Sequence, residues 1–361
     1  MARIRYAEDL KRLRAVIKVI GLGGAGGNAV NRMVEAGVQG VEIIAANTDA
    51  QHLGRSKAEV KVQIGEGITK GLGVGGDPAM GRIAGMESQE HLREVLAGAD
   101  LVFITAGMGG GTGTGVAPVA AQVAKELNAL TVAVVTRPFS FEGRVRAGHA
   151  ENGIKELRGC VDTLLVIPND HIFKVAGESM PSSDAYRKAD DVLRLAVQAV
   201  SDIITQPGEI NVDLNDIKAV MLGAGDALMG IGEALGHNRA VEAAKKAVTS
   251  PMLENISIGG ATRCIMNVVG NKKVTIGETQ EAANYVASQI SPDAAFKFGL
   301  VYDEKMDDRI QITVIATGFP ANRRSLSGRG HREFGDAPAK LAAAVDLATP
   351  AYMRVKVKRL R

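Results

Sequence analysis

Short apolar runs alternate with longer segments of helical periodicity through the first half of the chain. The runs are rich in Val and Ile and nearly unbroken, as expected of strands that helices cover on both faces. They lie at Ala15–Ile20, Val41–Ala46, Val62–Ile64, Leu101–Ala106, Thr131–Val135 and Thr163–Ile167. Helical patterns lie at Asn28–Ala36, Val116–Leu127 and Arg146–Leu157. This alternation predicts a parallel sheet in a doubly wound, Rossmann-like α/β domain.

The second half of the chain opens on one long amphipathic pattern. A broad apolar stripe from Ser183 to Thr205 predicts a single helix, which Pro207-Gly208 ends. Strand candidates follow at Ile217–Leu222, Thr262–Val269, Ala295–Val301 and Ile310–Ala316. Helical patterns lie at Ala240–Val248 and Glu278–Ile290. These elements predict a smaller α+β domain behind a long central helix.

The chain of 361 residues is 46% hydrophobic, enough to bury the cores of two domains. We expect a flexible N-terminal extension, a first domain, a central core helix, a C-terminal α+β domain and a flexible basic tail. Their expected ranges are 1–14, 15–182, 183–206, 207–319 and 320–361. The tail accounts for the net charge of +3, because ten Lys or Arg but only three Asp or Glu lie from Arg323 onward.

Composition argues against several classes of protein. Trp is absent and aromatic residues make up 4% of the chain, so no nucleic-acid partner is expected. Cys160 and Cys264 are far apart and indicate neither a disulfide framework nor a metal site. No apolar run is long enough to span a membrane, and the first residues lack the apolar stretch of a signal peptide. We therefore expect a cytoplasmic protein.

Three glycine-rich segments follow predicted strands. Gly21–Asn28 matches G-x-G-x-x-G, a weak signal that also suits a nicotinamide or flavin dinucleotide site or a plain tight turn. Gly107–Gly115 is stronger, because so many glycines offer many backbone N–H donors around an anion, with the hydroxyls of Thr112 and Thr114 beside them. Gly71–Pro78 is the third, and no P-loop motif occurs. Three such loops suit a nucleoside triphosphate.

The glycine loops belong to a wider set of motifs. These read IKVIGLGGAGGNAVNRM at 17–33, NTDAQHL at 47–53, GITKGLGVGGDP at 67–78, AGMGGGTGTG at 106–115, RPFSFEG at 137–143 and NVDLND at 211–216. From Ala15 to Phe319 the chain resembles the bacterial cell-division FtsZ family of the tubulin/FtsZ superfamily. The resemblance implies the tubulin/FtsZ fold with a parallel-sheet GTPase domain. It also implies GTP or GDP as ligand, Mg²⁺, and self-assembly into filaments of the division ring at mid-cell.

The resemblance assigns roles to individual residues. Loop residues would hold the phosphates, with Gly75 and Gly76 closing over the terminal one, and Glu142 and Arg146 would contact the ribose and phosphate side. Guanine would be read by carboxylate and amide groups, because a carboxylate can accept from both its ring N–H and its exocyclic amine. The implied nucleotide contacts are Gly24, Ala25, Asn28, Asn47, Asp49, Gly75, Gly76, Gly107, Met108, Gly109, Gly110, Gly111, Thr112, Gly113, Thr114, Pro138, Glu142, Arg146, Asn169, Tyr186, Asp190 and Asp191.

Three residues of the predicted central helix are expected to lie at the guanine base. Asp191 would read guanine and Tyr186 would stack on it, although spacing alone favours an Asp191 ion pair with Arg187 and a half-buried core position for Tyr186. Tyr186 stands where many members of the family have Phe. Asp190 stands where many have Asn, and it adds a charge beside the base pocket.

Asn211–Asp216 alone would be a polar loop before a strand, with at most a weak cation site. In members of the family the equivalent loop inserts into the nucleotide site of the next subunit. Asp213 and Asp216 would then orient and polarise the attacking water, and Asn211 would complete the contact. Hydrolysis would depend on assembly, and the contact between subunits would be head-to-tail.

The tail carries the remaining partner expectation. Asp346–Arg354 loosely resembles the peptide by which members of the family bind membrane-tethering and regulatory division proteins. The basic end, Arg354–Arg361, would strengthen that binding, meet anionic lipid directly, or only keep the chain soluble.

Two other functions compete with an assembly-dependent GTPase. A nicotinamide-dependent oxidoreductase would need an acidic residue after the second strand, where Asn47-Thr48-Asp49 is ambiguous, and it leaves the Gly107–Gly115 loop unexplained. A filament protein that binds GTP without turnover would not need Asp213 and Asp216.

Overall fold

The computed structural model describes residues 15–171, 181–205, 209, 212–250 and 257–320. The N-terminal extension expected over 1–14 and the tail beyond Pro320, with its expected partner-binding end, lie outside the described residues. Within those ranges, no helix combines the length and the apolar character that crossing a membrane requires.

Six parallel strands form the first part of the sheet. They are β1 (Ile17–Leu22), β2 (Glu42–Asn47), β3 (Val60–Gln63), β4 (Leu101–Gly107), β5 (Leu130–Arg137) and β6 (Thr163–Pro168). Their spatial order is β3-β2-β1-β4-β5-β6. Every residue of β1 is buried, including Lys18, the one charged residue in an otherwise apolar strand.

Helices cover both faces of these strands. They are α1 (Gly23–Glu35), α2 (Ala50–Gly54), α3 (Glu66–Thr69), α4 (Pro78–Glu87), α5 (Gln89–Leu96), α6 (Thr112–Glu126) and α7 (Arg144–Cys160). Residues of α4 to α7 join the core on one face, whereas those of α1 join the core on the other. The predicted helices are confirmed, but α1 and α6 begin earlier than expected because their glycine-rich segments form the first helical turns.

The predicted central helix is confirmed as α8 (Ser182–Thr205). Its buried stripe, which includes Leu193, Val197 and Val200, packs in the same core as α1. The helix starts near the carboxyl edge of the sheet, where the Tyr186 ring lies 5.3 Å from that of Phe139 just beyond β5. It ends near the amino edge, where Thr205 lies against Gly40 before β2. With about 1.5 Å of rise per residue, α8 is long enough to reach from the carboxyl edge of the sheet to the amino edge.

The rest of the chain extends the sheet from β6. Its elements are α9 (Leu214–Met221), β7 (Gly225–Leu235), α10 (Arg239–Val248), β8 (Arg263–Gly270), α11 (Ile276–Ser288), β9 (Ala295–Tyr302) and β10 (Arg309–Thr317). The start of β7 pairs in parallel with the start of β6, and the order continues β7-β10-β8-β9. A third core lies between these strands and the helices α10 and α11. The predicted fold class, a parallel α/β domain followed by a smaller α+β part, is confirmed; the exact domain boundaries stay predictions.

The strand predicted at Ile217–Leu222 is wrong, because this segment forms α9. Asp213 caps the helix by accepting from the Asp216 N–H, and Ile217, Val220 and Met221 recur at helical spacing on its buried face. The strand instead lies at Gly225–Leu235, where glycines interrupt the apolar pattern.

Two of those glycines in β7 let α10 pack directly on the strand. A Cβ at Gly232 would lie 2.5 Å from the Ala247 nitrogen and would also collide with the Ala243 carbonyl oxygen. We therefore expect Gly232→Ala to lower the free energy of unfolding by about 1–3 kcal/mol through overpacking. Thermal and urea melts of the purified chain measure this change.

Gly159→Ala is the matched control for this prediction. Gly159 lies in α7 with no atom within 4 Å of an ideal Cβ, so the change should raise stability by up to about 1 kcal/mol. Equal melting temperatures for the two variants would contradict close packing of α10 on β7.

Candidate functional site

The candidate site lies where the strand order reverses. β1 and β4 are neighbours, but α1 after β1 and α6 after β4 pack on opposite faces of the sheet. A crevice therefore opens beyond the carboxyl ends of these two strands, the usual ligand position in such sheets.

The loops that begin α1 and α6 touch each other in this crevice. A Cβ at Gly23 would lie 2.9 Å from the Gly113 nitrogen, and one at Gly107 would lie 2.6 Å from the Ala25 Cβ. Neither helix has a side-chain cap, and neither has an acidic residue in its first turn. Two helix N-termini with free N–H groups thus lie side by side, an arrangement that attracts an anion.

The predicted contacts in these loops fall into two groups. Some line open space: Gly24 and Asn28 are exposed, and no atom lies within 4 Å of an ideal Cβ at Gly110. Others are packed inside the loop: Met108 is buried, and a Cβ at Gly109 would lie 2.6 Å from the Arg146 carbonyl oxygen. The packed residues shape the loop, whereas the open ones can meet a ligand.

The two threonines of the second loop differ in the same way. Thr114 is buried and its hydroxyl accepts from the Gly109 N–H at 2.8 Å, which fixes the turn before α6. The Thr112 hydroxyl lies at the helix start, 2.7 Å from the hydroxyl of Thr48. Thr48 was not among the predicted contacts, although it lies within the NTDAQHL motif.

The third glycine loop reaches the same edge of the sheet. Gly75 and Gly76 have positive φ angles of 58° and 81°, and nothing lies within 4 Å of an ideal Cβ at either. The Gly73 N–H donates to the Thr48 carbonyl at 3.3 Å, which ties the loop to the end of β2. Asp77 caps α4 by accepting from the Ala79 N–H.

The polar side chains at the end of β2 stabilise the turn that follows it by bonding within the turn. Asp49 caps α2 by accepting from the His52 N–H at 3.0 Å. The Asn47 side chain accepts from the Asp49 N–H and lies 3.2 Å from the His52 ring nitrogen. The carboxylate that a dinucleotide site would use for a ribose is therefore already bonded to the backbone.

Residues beyond β5 form another wall beside the loops. Glu142 pairs with Arg146 at 3.0 Å and accepts from the Phe139 N–H at 2.9 Å. Pro138 lies beside Gly109, and Tyr186 from α8 meets Phe139 edge-on. Burial, then the nearby Glu142 charge, raises the pKa of Tyr186. Tyr186 as a whole residue is 43% exposed, so its ring is accessible to a ligand.

Asn169 adds a buried polar group to this wall. It follows β6, its backbone N–H donates to the Arg137 carbonyl, and the residue is 6% exposed. Its buried Oδ1 has no hydrogen-bond partner among the described residues. A buried amide oxygen rarely stays unpaired, so this atom fits a donor on a bound molecule.

The two aspartates on α8 have different environments. Asp191 pairs with Arg194 at 2.6 Å, so the ion pair with Arg187 that spacing favoured is wrong. Arg187 instead lies 4.0 Å from Asp184. Asp190 is 9% exposed, and burial raises its pKa to about 7 against the opposing effect of Arg32. Near neutral pH its carboxyl is therefore partly protonated, and the charge added beside the pocket is reduced.

The predicted acidic pair lies at the other edge of the sheet. The Met221 carbonyl at the end of α9 accepts from the hydroxyl of Thr163, the first residue of β6. Asp213 is exposed at the start of this helix, and Asp216 pairs with Lys297 of β9 at 2.7 Å. The structure therefore does not bring Asp213 and Asp216 to the glycine loops of the same chain. Asn211 lies outside the described residues.

No set of three or more His, Cys, Asp or Glu side chains within the described ranges is arranged to hold a metal ion.

The contact of Lys297 with Asp216 was not predicted from the sequence. Lys297 lies in a strand far along the chain from Asp216 and belongs to no motif.

Comparison with known proteins agrees with this architecture. Residues 16–177 match the model of the Tubulin/FtsZ family GTPase domain, and residues 225–320 match that of the FtsZ family C-terminal domain. An empty FtsZ dimer from M. jannaschii has a TM-score of 0.83 and 43% identity, covering 86% of this chain and 90% of that chain. The GTPγS-bound protofilament of CetZ2 from Haloferax volcanii shares the fold. Its identity is 21% and its TM-score is 0.73, covering 86% of this chain and 96% of that chain. The tubulin/FtsZ fold expected from the sequence is confirmed.

The raised pKa of Asp190 predicts a pH-dependent stability. Between its ordinary value of 3.8 and about 7, the folded protein keeps a proton that the unfolded chain releases, so this group lowers stability as the pH rises through that range. Asp190→Asn should therefore raise the free energy of unfolding by on the order of 2 kcal/mol at pH 8 and by much less at pH 5. Melting temperatures measured without nucleotide across this pH range test the prediction.

Asp184→Asn serves as its control, because this side chain lies on the same helix but is 46% exposed. Its effect should be the same at both pH values. An Asp190→Asn effect that does not grow with pH would contradict a buried, protonated carboxyl.

Proposed function

This chain belongs to the FtsZ family, and we propose that it binds GTP at the carboxyl edge of its sheet and hydrolyses it where subunits join head-to-tail. One observation carries the proposal: the glycine loops and the acidic residues Asp213 and Asp216 lie at opposite edges, which α8 connects. A second copy, placed edge to edge, would complete the site. Because this contact joins two different surfaces, it generates an open filament.

The nucleotide would fit the carboxyl edge in a defined direction. Its phosphates would meet the N–H groups at the starts of α1 and α6, with Gly75 and Gly76 over the terminal phosphate. Its base would lie toward Tyr186, where Asn169 offers an unpaired amide oxygen. Asp191 would accept from the ring N–H and the amine of guanine, which supports GTP over ATP.

Hydrolysis would use positioning and charge rather than a covalent intermediate. The carboxylates of Asp213 and Asp216 from the next subunit would orient and polarise the attacking water, with Asn211 completing the contact. Mg²⁺ would neutralise phosphate charge when bound. It is commonly held by phosphate oxygens, water and one or two carboxylates, so a dense cluster of protein ligands is not required.

The proposed cellular role follows from the family. Filaments would form the division ring in the cytoplasm at mid-cell, and the tail would bind membrane-tethering and regulatory proteins. The alternative is a filament that binds GTP without turnover, which the exposed Asp213 beside Asp216 argues against.

Turnover should depend on protein concentration. Phosphate release per subunit should be near zero in dilute protein and rise sharply above an assembly threshold, because the site needs two subunits. Asp213→Asn should bind GTP normally but lose at least about tenfold of the turnover above the threshold. Asn caps helices as well as Asp does, so this variant removes the charge while keeping the cap.

Phosphate release is measured alongside sedimentation of filaments at each concentration. Constant turnover per subunit at every concentration would show that a single subunit hydrolyses GTP alone. Full turnover by Asp213→Asn would exclude the role given to that carboxylate.

Asn169 should contribute to nucleotide affinity. Asn169→Ala removes the buried amide that faces the base, and we expect the Kd for GTP to rise about tenfold or more, as for a lost buried hydrogen bond. Fluorescence titration with a labelled GTP analogue measures this change. Asn152→Ala, an exposed change on α7, should leave the Kd unchanged, and equal affinities for the two variants would exclude Asn169 from the pocket.

A further inference from the structure

A lysine from a distant strand holds one of the two acidic residues at the amino edge. The Lys297 Nζ lies 2.7 Å from the Asp216 Oδ1, and both side chains are partly exposed, at 43% and 33%. Lys297 belongs to β9, which lies at the border of the sheet, whereas Asp216 lies in the first turn of α9.

Lys297 contacts Asp216, and its charge also acts on Asp213 at longer range. The Lys297 ammonium, and more weakly the Asp213 backbone N–H, hold the pKa of Asp216 below its usual range. Asp216 first and Asp213 second raise the pKa of Lys297. One cation is thus shared by the two groups that the proposed function places beside the nucleotide of the next subunit.

Stability does not explain this contact. Ion pairs that are as exposed as this one contribute roughly 0–1 kcal/mol, so the pair does little to hold α9 against β9. Its main physical effect is on direction: the ammonium selects one orientation of the Asp216 side chain, whose backbone is already fixed because Asp213 accepts from its N–H at 2.8 Å.

We propose that Lys297 is a positioning residue for GTP turnover, which orients the Asp216 carboxylate toward the nucleotide of the neighbouring subunit. This inference rests on the proposed function. Lys297 touches neither nucleotide nor water in this role; it acts through Asp216. It should therefore affect the rate of hydrolysis and not the binding of GTP by its own subunit.

The test compares Lys297→Ala and Lys297→Arg in the full-length chain above the assembly threshold. Lys297→Ala should lower the turnover number about tenfold, the lower end of the scale for loss of a group that orients a metal-binding side chain in other enzymes. Its Kd for GTP, assembly threshold and melting temperature should stay close to those of the unchanged chain. Lys297→Arg keeps the positive charge and should recover most of the turnover.

Lys245→Ala is the matched control, because Lys245 forms an ion pair of similar length, 2.8 Å to Glu242, with similar exposure but on α10. It should turn over GTP at the normal rate.

A mixing experiment locates the defect. Lys297→Ala subunits have an intact nucleotide pocket, and Asn169→Ala subunits have an intact acidic loop. Mixed filaments should hydrolyse GTP faster than the sum of the separate proteins, because the second protein supplies a correctly oriented Asp216 to the first.

Turnover by Lys297→Ala within about twofold of normal would overturn the inference while leaving the proposed function in place. A parallel loss of assembly and melting temperature, with no recovery in Lys297→Arg, would show a purely structural contact and also overturn it. Turnover that is independent of concentration in the unchanged chain would instead overturn the proposed function, and the inference with it.

Discussion

The close approach of two glycine loops at the carboxyl edge is the contact on which the rest of the site depends. Gly23 against Gly113, and Gly107 against Ala25, leave no room for further side-chain atoms. This contact sets the starts of α1 and α6 side by side although the helices pack on opposite faces of the sheet. The paired helix starts create a positive potential that attracts anions, and the remaining groups of the candidate site are arranged around that point.

Aspartates at both edges also serve as helix caps. Asp49, Asp77 and Asp213 each accept from an N–H in the first turn of the helix that follows. A capping carboxylate has a fixed direction, so the loops are ordered by the chain itself before any ligand arrives. Replacement of such a residue by Ala removes a cap together with a charge, whereas Asn separates the two effects. Each of these side chains therefore contributes both local stability and a negative charge at its edge of the sheet.

The strands β1, β2, β4, β5 and β6 and the helix α8 were predictable because burial on both faces, or on one long stripe, leaves a clear apolar pattern. The border strand β3 is mostly exposed, and its predicted range, Val62–Ile64, overlaps the observed strand only in part. The helix at 217–222 was not predictable, because Ile217, Val220 and Met221 belong to a short apolar run that suits either a strand or a helix. The strand β7 was not predicted, because the glycines that allow α10 to pack on it interrupt its apolar pattern. In the site, motifs identified the loops, but spacing gave the wrong partner for Asp191. The contact between Lys297 and Asp216 joins distant parts of the chain and left no local signal.

Because α8 connects two different edges of the sheet, the number of complete sites in a filament differs from the number of subunits. In the proposed assembly, each subunit offers a nucleotide pocket at one edge and an acidic loop at the other, so a filament of n subunits contains n pockets but only n − 1 complete sites. One terminal subunit keeps its nucleotide beyond the reach of any acidic loop, and the opposite terminal subunit presents a loop with nothing to act on. The two tips of a filament would then differ chemically even though every subunit is identical, and growth or loss at each tip could follow different rules.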